Sequence, residues 1–332
     1  MTRIAINGFG RIGRAAFKVA MEHDDVEVVA INDLGDLDNL AYLLKYDSVY
    51  GRYGRSVAVK EGSLVVDDTV ITVLNERDPL RLPWKDMDID VVIESTGIFT
   101  KKEDAEKHIT AGAKHVIISA PTKSADVPTV VLGVNGADME GQAIISNASC
   151  TTNSVAPVAA VIDEACGIEK AMLTTCHAYT ATQEIVDGPA GDDYRRGRSA
   201  AINVVPSSTG AAVAATLAYP ALKGKFDGVA LRVPVPVVSI TDFVFLTKEN
   251  TIVEAVNDAL QKAATDPRLK DVLAVTDEAV VSTDFIGDPH SAIVDLAMTR
   301  VVDGNLVKVM AWYDNEWGYS NRLVEQAVEL GG

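Results

Sequence analysis

Residues 3–13 read Arg3-Ile4-Ala5-Ile6-Asn7-Gly8-Phe9-Gly10-Arg11-Ile12-Gly13. A short apolar strand pattern runs straight into Gly-x-Gly-x-x-Gly, and a helical pattern follows. The glycines permit a tight turn and let the backbone approach a pyrophosphate, whose charge is favoured by the unpaired N–H groups and dipole of the helix start. Taken alone the motif is weak, and its context strengthens it. Twenty residues beyond Gly13, at the end of the next apolar strand, stands Asp33. A carboxylate there accepts hydrogen bonds from the adenosine ribose hydroxyls. The same charge repels the 2′-phosphate of NADP, so NAD is the expected cofactor. Read only as a turn residue, Asp33 leaves its spacing from the glycines unexplained.

Outward from this stretch, the first half alternates short apolar runs with helical patterns, as in βαβ units with a mainly parallel sheet. Strands are expected at residues 3–7, 26–31, 91–94, 116–119, 129–134 and 143–146. Thr100-Lys101-Lys102-Glu103 reads as a capping box that starts a helix ending near Gly112. Residues 51–82 break the rhythm with β-branched alternation and read as a strand-rich insertion. An Ala/Val-rich helix over 151–165 closes at Gly167, after which longer alternating strands appear at 170–177, 229–233, 239–247, 292–295 and 306–313. Between them, residues 179–198 form a long polar loop, a kind that is usually functional or disordered. A last amphipathic helix covers about 319–330.

The fold class expected is therefore α/β: a Rossmann-like, doubly wound, mainly parallel sheet, plus an α+β catalytic domain with a largely antiparallel or mixed sheet. Residues 1–149 form the nucleotide-binding domain, with a C-terminal helix over about 315–332 packing back on it. Residues 150–314 form the catalytic and oligomerisation domain.

Composition narrows the function. A chain of 332 residues is long enough for two domains. No stretch approaches the roughly 18 uncharged apolar residues of a membrane span, and the first residues read directly into a strand with no room for a signal peptide. A cytoplasmic protein with no membrane partner is expected. The net charge of −17 repels a phosphate backbone, which argues against nucleic acid as a main partner. An anionic small substrate would bind only where local arginines reverse the field.

The three cysteines, Cys150, Cys166 and Cys176, make neither an even disulfide set nor a metal-ligand spacing, so no metal is expected. Cys150 lies in Ser146-Asn147-Ala148-Ser149-Cys150-Thr151-Thr152-Asn153, between a strand end and a helix start. The positive end of a helix dipole favours thiolate there, and His177, at the end of the 170–177 strand, is the candidate partner. Cys166 and Cys176 read as inert core residues, the commoner fate of a free cysteine.

The run from Ile6 to Arg14 and the Cys150 octapeptide together resemble the glyceraldehyde-3-phosphate dehydrogenase family. The resemblance continues through His177-Ala178-Tyr179-Thr180, Ser208-Thr209-Gly210-Ala211-Ala212, Leu231-Arg232-Val233-Pro234 and Trp312-Tyr313-Asp314-Asn315-Glu316-Trp317-Gly318-Tyr319, in order over essentially the whole chain. It implies Cys150 as nucleophile and His177 as its base, with Gly8, Gly10, Arg11, Ile12 and Gly13 around the pyrophosphate. Asp33 would hold the ribose, Arg77 the adenine side, Ser119 the nicotinamide ribose region and Asn315 the nicotinamide amide. Thr180 and Arg232 would hold the phosphate of glyceraldehyde 3-phosphate. Ser149, Thr151, Thr209 and Gly210 would hold attacking inorganic phosphate, with Arg195 or Arg196 of the cluster that also contains Arg198. The resemblance also implies a homotetramer, with residues 179–198 as its S-shaped loop.

Two departures bear on this reading. Ser154 stands where many members of the family carry a second cysteine. The run Phe285-Ile286-Gly287-Asp288-Pro289-His290-Ser291 is closer to the sister enzyme, erythrose-4-phosphate dehydrogenase, which is the alternative reading. Thr180 and the intact Ser208-Thr209-Gly210 favour the glyceraldehyde-phosphate enzyme. A catalytically idle NAD-binding protein of the same fold is a second alternative. Retention of Cys150, His177, Thr180 and Arg232 together counts against it.

Overall fold

The computed structural model describes residues 1–191 and 193–332. By internal contacts the chain divides into two units, Met1–Val130 with Ala137–Ala148 and Ser320–Gly332, and Val131–Gly136 with Ser149–Tyr319.

In the first unit the elements are β1 (Thr2–Asn7), α1 (Arg11–Ala20), β2 (Val26–Asn32), α2 (Leu37–Lys45), β3 (Tyr46–Asp47), β4 (Gly51–Arg52), β5 (Val57–Lys60), β6 (Ser63–Val66), β7 (Thr69–Leu74), β8 (Val91–Glu94), α3 (Lys102–Thr110), β9 (His115–Ile118) and β10 (Ile144–Ser146). The sheet runs β10-β9-β8-β1-β2-β7-β6-β5. Its members from β10 to β7 pair in parallel, while β6 and β5 extend it antiparallel. From β1 the chain winds first to one side and later to the other, so β1 and β8 are neighbours at the reversal of strand order. In doubly wound sheets the ligand crevice lies at the carboxyl ends of that pair. Strands covered on both faces need apolar side chains at successive positions. Accordingly Val91, Val92, Ile93, Val116, Ile117 and Ile118 are all fully buried.

Three local expectations change. Residues 51–82 are strand-rich but not wholly an insertion, because β7 pairs in parallel with β2 as a member of the main sheet. Residues 129–134 form no strand. Thr129 makes a single bridge to Ser146, and the chain then turns, with Val131 N–H donating to Asn135 Oδ1 at 2.8 Å. The capping box at Thr100 does not form either. The helix starts a residue later with Lys101 as N-cap, and Lys102 N–H is satisfied by Ser124 Oγ at 3.0 Å.

In the second unit are α4 (Cys150–Cys166), β11 (Ile168–Ala178), β12 (Val205–Ser208), α5 (Ala211–Ala218), β13 (Phe226–Val233), β14 (Ser239–Thr247), α6 (Val253–Ala264), β15 (Leu273–Thr276), β16 (Ala292–Asp295), β17 (Arg300–Val302) and β18 (Leu306–Tyr313). A final helix, α7 (Trp317–Gly331), follows. The sheet order is β12-β13-β11-β14-β18-β16-β15, with β17 on β18, and its pairings are mixed and mostly antiparallel. Along β14 burial alternates from residue to residue, as a strand with one covered face requires. The first sheet is thus the doubly wound, mainly parallel one expected, and the second the largely antiparallel, mixed one. From Ser320 onward α7 belongs to the first unit, where Gln326 donates to Val130 O at 3.2 Å.

Candidate active site

In the first unit the turn after β1 is built from glycine for steric reasons. Gly8 has φ +94°, and a Cβ on it would lie 2.7 Å from Thr96 N. A Cβ on Gly13 would lie 2.0 Å from Gly8 O. Gly10, the N-cap of α1, faces open space instead, with no side chain of its own to satisfy the helix's first N–H groups. Arg11 and Ile12 form the first turn of α1. The Arg11 side chain pairs with Asp47 at 3.0 Å and lies over the Tyr50 ring.

Gly8, Gly10, Asp33, Arg77, Thr96 and Phe99 are among the residues that line a cavity of about 900 Å³. Asp33 is held rigidly in its wall, Oδ2 accepting from Phe9 N–H at 2.6 Å and Oδ1 from Gly35 N–H at 2.7 Å. A carboxylate has about four acceptor sites, so two remain for ribose hydroxyls. Ser119 Oγ is buried with no hydrogen-bond partner among the described residues. A glycine cradle, an anchored carboxylate and an orphaned hydroxyl are the donor set that suits a dinucleotide.

In the second unit Ser149 caps α4, its Oγ accepting from Thr152 N–H at 3.1 Å, which places Cys150 at the first helical position. Ala148, just before, adopts the uncommon φ of 55°. Cys150 Sγ lies 3.4 Å from His177 Nε2, His177 being buried near the end of β11. On its far side His177 Nδ1 is 2.7 Å from Ala178 O and 2.6 Å from Arg232 Nη1. Arg232 Nη1 also reaches Ala178 O at 3.2 Å.

The electrostatics differ from the sequence expectation of a thiol lowered by the helix. Burial pushes the Cys150 thiol up, opposed by the Arg232 charge and by Thr151. Burial, with the Arg232 guanidinium beside it, pulls His177 down to about 3. Neither group charges readily alone, and a proton moved from the thiol to Nε2 would set opposite charges side by side. Arg232 Nη1 can donate only to an unprotonated Nδ1, whereas the tautomer that accepts the thiol proton at Nε2 carries Nδ1–H toward Ala178 O; in that tautomer Arg232 donates to the same carbonyl instead.

Around the pair, Thr151 Oγ1 and Thr175 Oγ1 each lie 2.9 Å from Tyr313 OH, a fully buried phenol whose ionisation burial opposes. Ser239 Oγ donates to Asn315 Oδ1 at 3.0 Å and accepts from Ala178 N–H at 3.1 Å, so the Asn315 amide nitrogen is directed elsewhere. Sequence reasoning missed Tyr313 and Ser239. Tyr313 lies inside one of the motifs quoted above, whereas nothing in the sequence singles out Ser239.

The phosphate candidates fall into distinct places. Thr180 Oγ1 is 3.0 Å from Thr182 Oγ1. Thr209 Oγ1 accepts from Ala211 N–H at 3.1 Å, and Gly210 caps α5 with open space at its Cα. Arg196 lines a cavity of about 510 Å³ with Thr182 and Ser208. Arg232 is pulled down by burial and further by the Arg196 charge, so the two guanidinium groups share one region. Arg195 and Arg198 line a different, smaller cavity, and Arg198 pairs with Asp187 at 3.0 Å. Cys166 is buried, but Cys176 is not a core residue: it occupies the partly exposed face of β11, one position out of phase with His177. No cluster of three or more metal-ligating side chains occurs among the described residues.

A dinucleotide cradle and a thiol partnered by an imidazole are the equipment of an oxidising enzyme that holds its substrate covalently. Residues 2–102 match the glyceraldehyde 3-phosphate dehydrogenase NAD binding domain, and residues 149–315 match the C-terminal domain of the same family. The chain is 53% identical to the glyceraldehyde-3-phosphate dehydrogenase of Streptomyces coelicolor over 332 residues, covering 99% of this chain and 98% of that one. It is 51% identical over 330 residues to that of Geobacillus stearothermophilus, with 99% and 98% covered. The chain belongs to the glyceraldehyde 3-phosphate dehydrogenase family. It is an NAD-dependent oxidoreductase.

Proposed function

We propose that the chain oxidises glyceraldehyde 3-phosphate with NAD and inorganic phosphate to 1,3-bisphosphoglycerate, by way of a thioester on Cys150. The observation that carries this reading is the 3.4 Å approach of Cys150 Sγ to His177 Nε2 at a helix start. His177 takes the thiol proton, and Sγ bonds to the aldehyde carbon. The imidazolium and the Cys150 backbone N–H steady the resulting oxyanion, which takes the proton from Nε2 to become the hemithioacetal hydroxyl and leaves His177 neutral again. NAD, when bound, supplies the hydride acceptor. As the hydride leaves carbon, His177 takes the hydroxyl proton, giving the thioester. A phosphate oxygen then attacks that carbonyl, the C–S bond breaks and Cys150 thiolate returns. Splitting the reaction at a covalent intermediate keeps the energy of aldehyde oxidation in the acyl phosphate instead of losing it to hydrolysis.

Thr180 and Arg232 hold the substrate's phosphate in this reading, and Ser149, Thr151, Arg196, Thr209 and Gly210 hold the attacking one. A guanidinium suits both, because it binds oxyanions bidentately. Gly8 to Gly13, Asp33, Arg77, Ser119 and Asn315 serve NAD. We further propose a homotetramer working in the cytoplasm. Exposed apolar side chains on the second unit, among them Ile185, Val186, Tyr194, Ile202 and Val204, support self-association. No helix among the described residues is long and apolar enough to cross a membrane.

NADH formation from glyceraldehyde 3-phosphate, with and without inorganic phosphate, tests the proposal. Phosphate-dependent turnover is expected. Activity with erythrose 4-phosphate but not with glyceraldehyde 3-phosphate would replace it with the sister reaction, and inactivity with both would leave an idle NAD-binding fold.

A further inference from the structure

At the carboxyl ends of three neighbouring parallel strands, Asn32 of β2, Asn7 of β1 and Glu94 of β8 stand in register. All three are almost completely buried, and His108 of α3 behind them is fully buried. Glu94 Oε2 is met by Asn7 Nδ2 and, at 3.1 Å, by His108 Nε2. Glu94 Oε1 accepts from Thr96 N–H at 2.9 Å and from the Thr96 hydroxyl. His108 Nδ1 is 3.0 Å from Trp84 Nε1. Asn32 Nδ2 donates to Asn7 Oδ1 at 2.7 Å and to Glu76 O at 2.9 Å, and Asn32 Oδ1 accepts from Glu76 N–H at 2.9 Å.

The two ends of this chain of bonds fix the direction of each of these links, and the 3.4 Å approach of Asn7 Nδ2 to His108 Nε2 is then a contact between two donors that share Glu94 Oε2. An indole N–H only donates, so His108 Nδ1 must accept and Nε2 must carry the proton that goes to Glu94. A backbone N–H likewise only donates, so Asn32 turns its oxygen to Glu76 and its nitrogen to Asn7, which turns its nitrogen to Glu94. Donors converge on one carboxylate from Trp84 and His108 on one side and from Glu76, Asn32 and Asn7 on the other. His108 thereby turns its accepting Nδ1 to the indole and its Nε2–H to Glu94. None of these bonds involves the catalytic pair, yet Asn7, Asn32, Glu76 and Thr96 all line the 900 Å³ cavity. Thr96 is also the residue against which Gly8 is packed.

We propose that Glu94 and His108 are positioning residues for the cofactor: their proton-ordered contacts set the polar floor of the nucleotide cavity and hold the Thr96 loop against the Gly8 turn. The inference rests on reading this cavity as the NAD site. Glu94→Gln tests it most sharply, because an amide places N–H groups among four donors and the bond directions no longer close. Calorimetric titration of NAD and of ADP-ribose into wild type and variants, with steady-state kinetics, reads the effect. We expect Glu94→Gln and His108→Leu to weaken NAD and ADP-ribose by about tenfold or more and raise the NAD KM alike, while kcat stays within about twofold. His108→Gln, which can accept from Trp84 and donate to Glu94, should recover most of the affinity. Trp84→Phe, which frees the tautomer, should weaken binding less than Glu94→Gln. If His108→Leu does not fold, Glu94→Gln and Trp84→Phe decide. Folded variants with unchanged NAD affinity, or with a lowered melting temperature alone, would overturn the proposal. Failure of the wild type to bind ADP-ribose would instead overturn the cavity's assignment to NAD.

Discussion

Arg232 Nη1 lies 2.6 Å from His177 Nδ1, on the opposite side of the ring from Cys150 Sγ, so one cation borders the base from behind while the thiol meets it in front. A residue read as a phosphate ligand thus also sets the charge of the acid–base pair. It opposes protonation of His177 and favours ionisation of Cys150, two effects that partly cancel in the transferred-proton state.

His177→Asn should move the pH dependence of Cys150 alkylation. Burial holds the thiol high, and in the proposed mechanism His177 receives its proton directly. Without that acceptor the thiol must ionise to solvent from its raised position. The midpoint of iodoacetamide reaction should therefore shift upward, and the rate at neutral pH should fall. Turnover should drop by about 10²–10⁴, the usual worth of a positioned base. An unshifted alkylation profile would remove His177 from this role.

Arg196 and Arg195 should separate kinetically. The Arg196 charge acts on Arg232, whereas Arg195 lines a different cavity. A charge-assisted bond is worth about 1.5–3 kcal/mol, so Arg196→Ala should raise the KM for inorganic phosphate by about 10–100-fold. Arg195→Ala should leave it nearly unchanged. The reverse ranking, measured at saturating NAD, would reassign the site.

Two glycine substitutions should fail in different ways. A Cβ on Gly13 meets Gly8 O at 2.0 Å, so Gly13→Ala should lower the melting temperature as well as NAD affinity. Gly10 faces open space, so Gly10→Ala should keep its melting temperature and lose about tenfold in NAD affinity, roughly 1.4 kcal/mol, by filling the approach to the pyrophosphate. Equal affinity in wild type and Gly10→Ala would show that the pyrophosphate does not pass there.

Asp33 should set cofactor choice. Asp33→Ala removes the ribose acceptor and the charge that repels a 2′-phosphate, so the NADP-to-NAD ratio of kcat/KM should rise. Because Asp33 also accepts from Phe9 and Gly35 N–H, the variant should lose some thermal stability as well. An unchanged ratio would place cofactor selection in other residues.

Where local pattern and environment agreed, the sequence was easily read. The alternating strands at 239–247 and 306–313 coincide with β14 and β18, because one covered face imposes a period of two on the chain itself, whereas β16 at 292–295 is buried at every position. Sheet membership is different. Nothing in residues 69–74 distinguishes a hairpin arm from a parallel neighbour of β2, since that depends on a strand far away in the chain. The Thr100 capping box looked complete, yet Ser124 satisfied the helix start from 22 positions on. Cys176 looked like core because it is apolar and lies within a strand, but β11 turns its own face outward at that position. Motifs likewise exposed Cys150, His177 and Arg232. They could not reveal the Arg232–His177 contact, the raised thiol, or a network made of Glu94, His108 and two asparagines, because each depends on which side chains meet across the sheet.

The most direct test is to trap the covalent intermediate. The enzyme is mixed with glyceraldehyde 3-phosphate and NAD without inorganic phosphate, quenched in acid, and examined by intact-protein and peptide mass spectrometry. A thioester mechanism requires one phosphoglyceroyl group per chain, located on Cys150, absent from Cys150→Ser and discharged when phosphate is added before the quench. NADH released at full rate with no acyl group on Cys150, or an acyl group on Cys166 or Cys176 instead, would contradict it.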